Sequence, residues 1–432
     1  MTKKVLIVGY FWPYRGGSAR MLGLATYLAE FGWEPTILTA PLLRPVDRPI
    51  HAAVVETPYA GDVFSLWRRL FSALGYDRSR SITEQIKQNV GGGQRGRAAA
   101  RLRTLYLEMF AYPDTERRWI APAFSAGLEL AESGNFDAIL SVWPVSSHVI
   151  ARRIKRVTHV PWVADFPDPW SQNHAYPYGR VRRFFDRWLE QRVVAEADAV
   201  TAATPGYARS QSSVSHRDCE PILLGFEPDQ LNEPPAPLSK KFTVSYTGTI
   251  YDGMQDPLTV LDGIQLVVAT EGVDRERVEV RFFGENQEWL RAEIEQRRLE
   301  GVVVQGGRIS RTDSLARQRE SQVLLLLGWE DHANPGVIPY KTFEYLAAQR
   351  PILIVGGSPD QDIVKIVKDR QAGWFAATAT DVAAQLLTSY REYVDVGSVQ
   401  SRTTVSDVKQ FSYREMAKRF SAVLDAVSPS AG

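Results

Sequence analysis

The chain has 432 residues, 44% hydrophobic and 23% charged, with a formal net charge of +1. That length exceeds one ordinary domain and predicts two, each apolar enough to bury its own core. The near-zero charge gives no support to nucleic acid or another polyanion as a partner of the whole molecule, and the single cysteine, Cys219, excludes an internal disulfide framework.

Met-Thr-Lys-Lys leads directly into Val5-Leu6-Ile7-Val8, a short β-branched run that predicts a buried parallel strand. It is too short for a signal or spanning segment, and no later stretch reaches about 18 uncharged apolar residues. The expectation is a cytoplasmic protein whose membrane contact, if any, is peripheral, at the inner face. After the strand come a Gly/Pro/aromatic loop, "GYFWPYRGGSAR", and a helix over roughly Ala19–Phe31 with Leu22, Ala25, Leu28 and Ala29 on one face, stopped by Gly32. "EPTILTA" is the next strand, completing a β-α-β unit.

The region from about 64 to 119 breaks this rhythm. Between 64 and 110 it holds nine Arg and Lys against three acids, interleaved with apolar and aromatic residues, and Gly91-Gly92-Gly93 interrupts it. Such a pattern suits a basic amphipathic helix on an anionic membrane, and equally a helix packed on its own domain with a solvated basic face. Strands follow at "FDAILSVW", "VPWVADF" and "ADAVTAAT", with helices over about Ser146–Arg156 and Arg180–Glu196. Residues 1–225 therefore form one α/β half.

Residues 226–241, "FEPDQLNEPPAPLSKK", are Pro-rich without periodicity and read as a linker. A second α/β half spans 242–404: strands at "FTVSYTG", "VEVRFFG", "SQVLLLLG" and "RPILIVGG", and a helix over about Pro257–Thr270. From Val405 onward the pattern is an amphipathic helix with a loose tail. The fold class is α/β, two doubly wound Rossmann-like halves, with ligands expected in a cleft at the carboxyl ends of the strands.

Several chemistries lack their signatures. There is no GxGxxG after the first strand and no GxxxxGK[ST], which argues against nicotinamide oxidoreductases and P-loop NTPases. Six scattered histidines without HExxH or CxxC leave a catalytic zinc unsupported, and no Gly-x-Ser-x-Gly elbow is present. What remains is a set of glycines at strand ends: Gly16 and Gly17 before the first helix, Gly248 after a strand, and Gly336 before the helix of "GVIPYKTFEYLAAQRPILIVGG". Each alone can be a tight turn. Together they are suited to backbone approach to a diphosphate.

That last stretch resembles the C-terminal signature of family 4 glycosyltransferases of the GT-B fold, in "IPYKTFEYLAAQRPILI". "RGGSARMLGLATYLAEFGWEPTILT", "DFPDPW", "AEADAVTAAT" and "SYTGTIYDG" carry the likeness along nearly the whole chain. The resemblance implies two Rossmann-like domains facing a nucleotide-sugar cleft, retention of anomeric configuration, no required metal or other cofactor, and a C-terminal helix that crosses back to the N-terminal domain. It implies a UDP- or GDP-linked sugar donor, and a sugar, lipid-linked glycan or similar acceptor. A relative acting on a nucleotide-sugar otherwise, such as an epimerase or pseudo-glycosyltransferase, and a non-catalytic nucleotide-sugar-binding protein are the alternatives.

Carried over residue by residue, Glu344 matches the glutamate that accepts both ribose hydroxyls, and Lys341 stands where a cation meets the diphosphate. Gly248, Thr249, Gly284, the amides of Gly336, Val337 and Ile338, and Arg308 near the base complete the donor side. Gly16 and Gly17 approach the phosphates or acceptor. Asp165 and Asp168 are candidates to orient a sugar hydroxyl or the attacking acceptor, although Asp168-Pro169 is also ordinary turn chemistry. Trp170 and His148 are candidates for the acceptor side, either of which could be a packing residue, and His174 is a further cleft histidine. Two positions depart from the family pattern. Gly336 stands where many members have a glutamate eight residues before Glu344, and "GTIYDGMQDP" lacks the cation that often follows the Gly248 turn. Lys341 is then the main basic contact, or a residue outside the motif assists it.

Overall fold

The computed structural model describes residues 2–10, 18–41, 49–59, 61, 108 and 110–428, less 174, 175, 177, 234, 235, 252 and 331–335. Gly16, Gly17, His174 and nearly all of the basic stretch up to 107 lie outside the described residues. The chain divides into two compact units, Met1–Leu223 with Met416–Gly432, and Leu224–Glu415.

Unit 1 holds a seven-stranded sheet of order β3-β2-β1-β4-β5-β6-β7, parallel throughout. Its strands are β1 (Lys3–Val8), β2 (Trp33–Thr39), β3 (Ala53–Glu56), β4 (Ala138–Val142), β5 (Trp162–Phe166), β6 (Ala199–Ala202) and β7 (Glu220–Pro221). All five residues of β4 and of β5 are buried, as expected of strands covered on both faces. That is why they read as largely apolar runs, broken only by Ser141 and Asp165. Leu6, Leu38, Ile139 and Ala164 meet Trp119 and Trp162 in one core.

The first helix, Ser18–Tyr27, continues as a 3-10 turn, Leu28–Phe31, and Gly32 ends it at φ 82°. Its buried face differs from the expected one. Arg20, Met21, Leu24, Ala25 and Leu28 face inward, Leu22 is half-buried and Ala29 is exposed. An arginine occupies the buried stripe, and the reason appears at Asp165 below.

Unit 2 holds a six-stranded parallel sheet of order β10-β9-β8-β11-β12-β13. The strands are β8 (Phe242–Thr247), β9 (Val278–Phe283), β10 (Val303–Gly307), β11 (Val323–Leu327), β12 (Ile352–Val355) and β13 (Gly373–Ala376). Chain order reverses between β8 and β11, the place where ligands of open α/β sheets bind. The stretch read as a linker is partly folded into this unit. Phe226 is buried, donates its amide to Phe411 O at 3.0 Å and bridges Ser412, and Pro228–Leu231 forms a 3-10 turn. The single helix expected from Val405 is two, Val405–Lys409 and Tyr413–Val427. Among the described residues no helix is long and apolar enough to cross a membrane.

Candidate functional site

In unit 2 the helix Lys341–Ala347 sits beside the carboxyl end of β8. Tyr345 fixes it there: its hydroxyl accepts the Thr247 amide at 2.8 Å and lies 3.2 Å from Thr247 Oγ1. Gln318, fully buried on the helix Arg311–Glu320, donates to Thr247 Oγ1 at 3.1 Å and to Glu344 Oε2 at 3.3 Å. Strand end, helix and Glu344 are thereby tied into one unit.

Lys341 and Glu344 share this helix, but not as an ion pair. Glu344 Oε1 is 3.0 Å from Arg311. Arg311 also donates to the Tyr340 hydroxyl at 3.0 Å, which in turn lies 2.6 Å from Tyr413 OH. Burial raises the Glu344 carboxyl above its ordinary range, opposed by Arg311, Gln318 and Lys341. The Lys341 ammonium lies 3.8 Å from the centroid of the Tyr246 ring and has no hydrogen bond or ion pair among the described residues. Burial pushes its pKa down to about 7, with Glu344 opposing the shift.

Gly248 makes room for that ammonium. Its φ is 123°, and a Cβ there would stand 2.7 Å from Lys341 Nζ. Gly284, at the end of β9, lies so close that its Cβ would meet Gly248 O at 2.4 Å. These are two close approaches that only glycine permits. Thr249, exposed, uses its carbonyl to accept from Tyr246 OH at 2.8 Å. Gly336 and Val337 are buried and Ile338 is half-buried just ahead of the helix. The helix itself has seven residues, and its first amides are engaged, Thr342 to Pro339 O at 3.0 Å and Phe343 to Tyr340 O at 3.1 Å. The charge for an anion therefore comes from the Lys341 side chain rather than from a helix terminus. Arg308 is exposed and paired with Glu285 at 2.9 Å.

The structure brings Lys341, Glu344, Gly248, Thr249 and Gly284 together and adds three residues that the sequence reading missed, Arg311, Gln318 and Tyr340. In unit 1 it corrects three assignments. Asp165 is completely buried, and both its oxygens take Arg20, Nε at 2.7 Å and Nη2 at 2.8 Å, while Thr201 Oγ1 adds a bond at 2.6 Å. That carboxylate is a core ion pair and is not available to a substrate. His148 is equally buried, stacked 4.4 Å from Phe166, with Nδ1 2.8 Å from Ser141 Oγ. Burial drives its pKa down to about 3, so it stays neutral in the core. Trp170 packs in the core cluster at 4% exposure rather than presenting a face to an acceptor. Asp168 is exposed past the end of β5.

Residues 15–213, just under half of the chain, match the family model described as a glycosyl transferase 4-like domain. No curated protein matches the sequence. Solved structures of similar fold include a glycosyltransferase from Rickettsia africae, at TM-score 0.61 and 9% identity over 100% of both chains. Anabaena HepE, solved in complex with UDP and glucose, gives 0.59 and 11% over 98% of this chain and 100% of that one. Sucrose-phosphate synthase from Thermosynechococcus elongatus gives 0.56 and 12% over 98% of each. Over residues 15–213 the chain thus matches a glycosyl transferase 4-like domain, and its two parallel-sheet units share the Rossmann-like fold of these GT-B neighbours.

Proposed function

We propose that the protein is a retaining, metal-independent glycosyltransferase that moves a sugar from a UDP- or GDP-linked donor to a glycan, lipid-linked glycan or similar acceptor. The observation that carries this reading is Lys341: an ammonium withdrawn from water, set on an aromatic face, with no anionic partner of its own. A cation held in that state stabilises an incoming diphosphate, and stabilises it more as the leaving group gains charge. Gly248 and Gly284 leave the backbone open beside it. Glu344 offers a carboxylate to a ribose diol, which would take the place of Arg311 on Oε1. Arg311, so released, is the residue outside the motif able to supply the cation missing after Gly248. The likeness to HepE, whose structure holds UDP and glucose, supports the donor class.

Titration calorimetry with UDP and GDP tests the reading. Binding of one of them at micromolar strength supports it, and binding of neither overturns it. Glu344→Ala is expected to weaken that binding by about 2–4 kcal/mol, the loss of two charge-assisted bonds to the diol. Unchanged affinity in a folded variant removes Glu344 from the role.

A further inference from the structure

The helix Arg180–Glu196 in unit 1 is built inside out. Up to residue 190 its inward stripe is polar, before Val193 and Val194 join the core: Arg182, Asp186 and Glu190, four apart, are 5%, 1% and 1% exposed. Arg182 Nε donates to both Asp186 oxygens at 3.0 Å, and Glu190 accepts the Ser171 amide at 3.2 Å. Its outward stripe is apolar: Val181, Phe184, Phe185 and Trp188 are 74%, 68%, 50% and 43% exposed. The spacing i, i+3, i+4, i+7 gathers these four on one helical face. Burial is the normal fate of such side chains, and a contiguous exposed group of them marks a surface that binds something.

The charges say what. The exposed charged residues of this helix up to residue 192 are Arg180, Arg183, Arg187 and Arg192, all cations, because both acids in that span are turned inward. Arg192 stacks 3.7 Å from the Trp188 ring centroid. Beneath the aromatic stripe lies a hollow of about 550 Å³ lined by Glu108, Tyr112, Val181, Arg182, Phe185 and Trp188, in which Glu108 accepts the Gly179 amide. A second hollow of about 500 Å³, which shares Tyr112, is lined by Arg117, Arg152, Arg153 and Arg156. Glu196 pairs with Arg152 and Arg156, and Arg153 has no ion pair among the described residues. A second copy of the chain docked by two-fold symmetry on this face would gather two sets of these arginines into one interface. An anionic bilayer complements the exposed face of the helix: aromatic rings seat at headgroup depth, arginine stems lie along them, and the guanidiniums meet lipid phosphates.

We propose that the outer face of the helix Arg180–Glu196 docks on an anionic lipid surface, with the neighbouring arginine-lined hollow receiving a headgroup phosphate. This surface is independent of the nucleotide reading.

The test is co-sedimentation of the full chain with vesicles of phosphatidylcholine alone or with a third of phosphatidylglycerol. Binding is expected to the anionic vesicles only, and to weaken with added salt. Arg183→Gln with Arg187→Gln should lower partitioning about thirtyfold, at about fivefold per surface arginine. Phe184→Ser with Phe185→Ser and Trp188→Ser should abolish it while thermal stability and UDP binding stay at wild-type values. No vesicle binding by the wild type overturns the proposal, as does equal binding by both variants. A wild type that self-associates without binding vesicles, and becomes monomeric on loss of the aromatics, overturns it in favour of a contact between copies. Loss of UDP binding with intact vesicle binding leaves this proposal standing and removes the nucleotide reading instead.

Discussion

Asp165→Ala is expected to destabilise unit 1 by about 3–5 kcal/mol, the cost of leaving a buried guanidinium without its carboxylate. Arg20 and Asp165 are 1% and 0% exposed and meet through two bonds at 2.7 and 2.8 Å. The remaining Arg20 nitrogen donates to Ile222 O at 2.6 Å, and its guanidinium lies 4.8 Å from the Phe420 ring centroid. One ion pair thus ties the first helix to β5, to the segment after β7, to β6 through Thr201 and to the C-terminal helix, all within unit 1. Calorimetric melting should show a drop in Tm of roughly 10 °C, given a few degrees per kcal/mol for a domain of this size. The double variant Arg20→Met with Asp165→Leu should recover much of that loss, since an apolar pair needs no partner. A catalytic role predicts the opposite: unchanged Tm, lost turnover, and no rescue by the apolar pair.

This residue also marks where sequence reading reaches its limit. The parallel strands were legible because burial on both faces leaves an uninterrupted apolar run, as in Val5–Val8 and Val323–Leu327. The helix Arg180–Glu196 was placed to the residue. Its orientation was not, because nothing in the sequence shows that Asp186 and Glu190 have partners inside. β3 and β13 are edge strands with partly exposed residues, and they carry a weaker alternation. Lys341 and Glu344 were found because they stand in the stretch that resembles the family signature. Arg311 was missed because its helix, "RTDSLARQRE", is almost wholly polar, and only the packing of that helix against β8 brings its end to Glu344. For Asp165 a signal did exist. Arg20 lies on the stripe that continues through Leu24 and Leu28, and an arginine on a buried stripe demands a carboxylate somewhere in the core.

Lys341→Met should raise the stability of the ligand-free protein and abolish nucleotide binding. Folding moves this ammonium from water to a site where its pKa falls to about 7. Between that value and the unfolded value near 10.4 the unfolded chain binds more protons, so the Lys341 contribution to stability rises with pH across this window. Below about pH 7 the folded protein carries the full cost of the buried charge, several pKa units at about 1.4 kcal/mol each, hence a few kcal/mol. Methionine keeps the length and the contact with Tyr246 without that cost. The gain in Tm should be largest at pH 6 and vanish toward pH 10. A bound diphosphate reverses the balance: it restores an anionic neighbour and lifts the pKa, so UDP binding at pH 8 should take up close to one proton per site. Calorimetry in two buffers of different ionisation enthalpy measures that uptake directly, and Lys341→Met should show none. A variant no more stable than wild type at pH 6, or nucleotide binding without proton uptake at pH 8, would mean that Lys341 is an ordinary solvated lysine and that the anion site lies elsewhere.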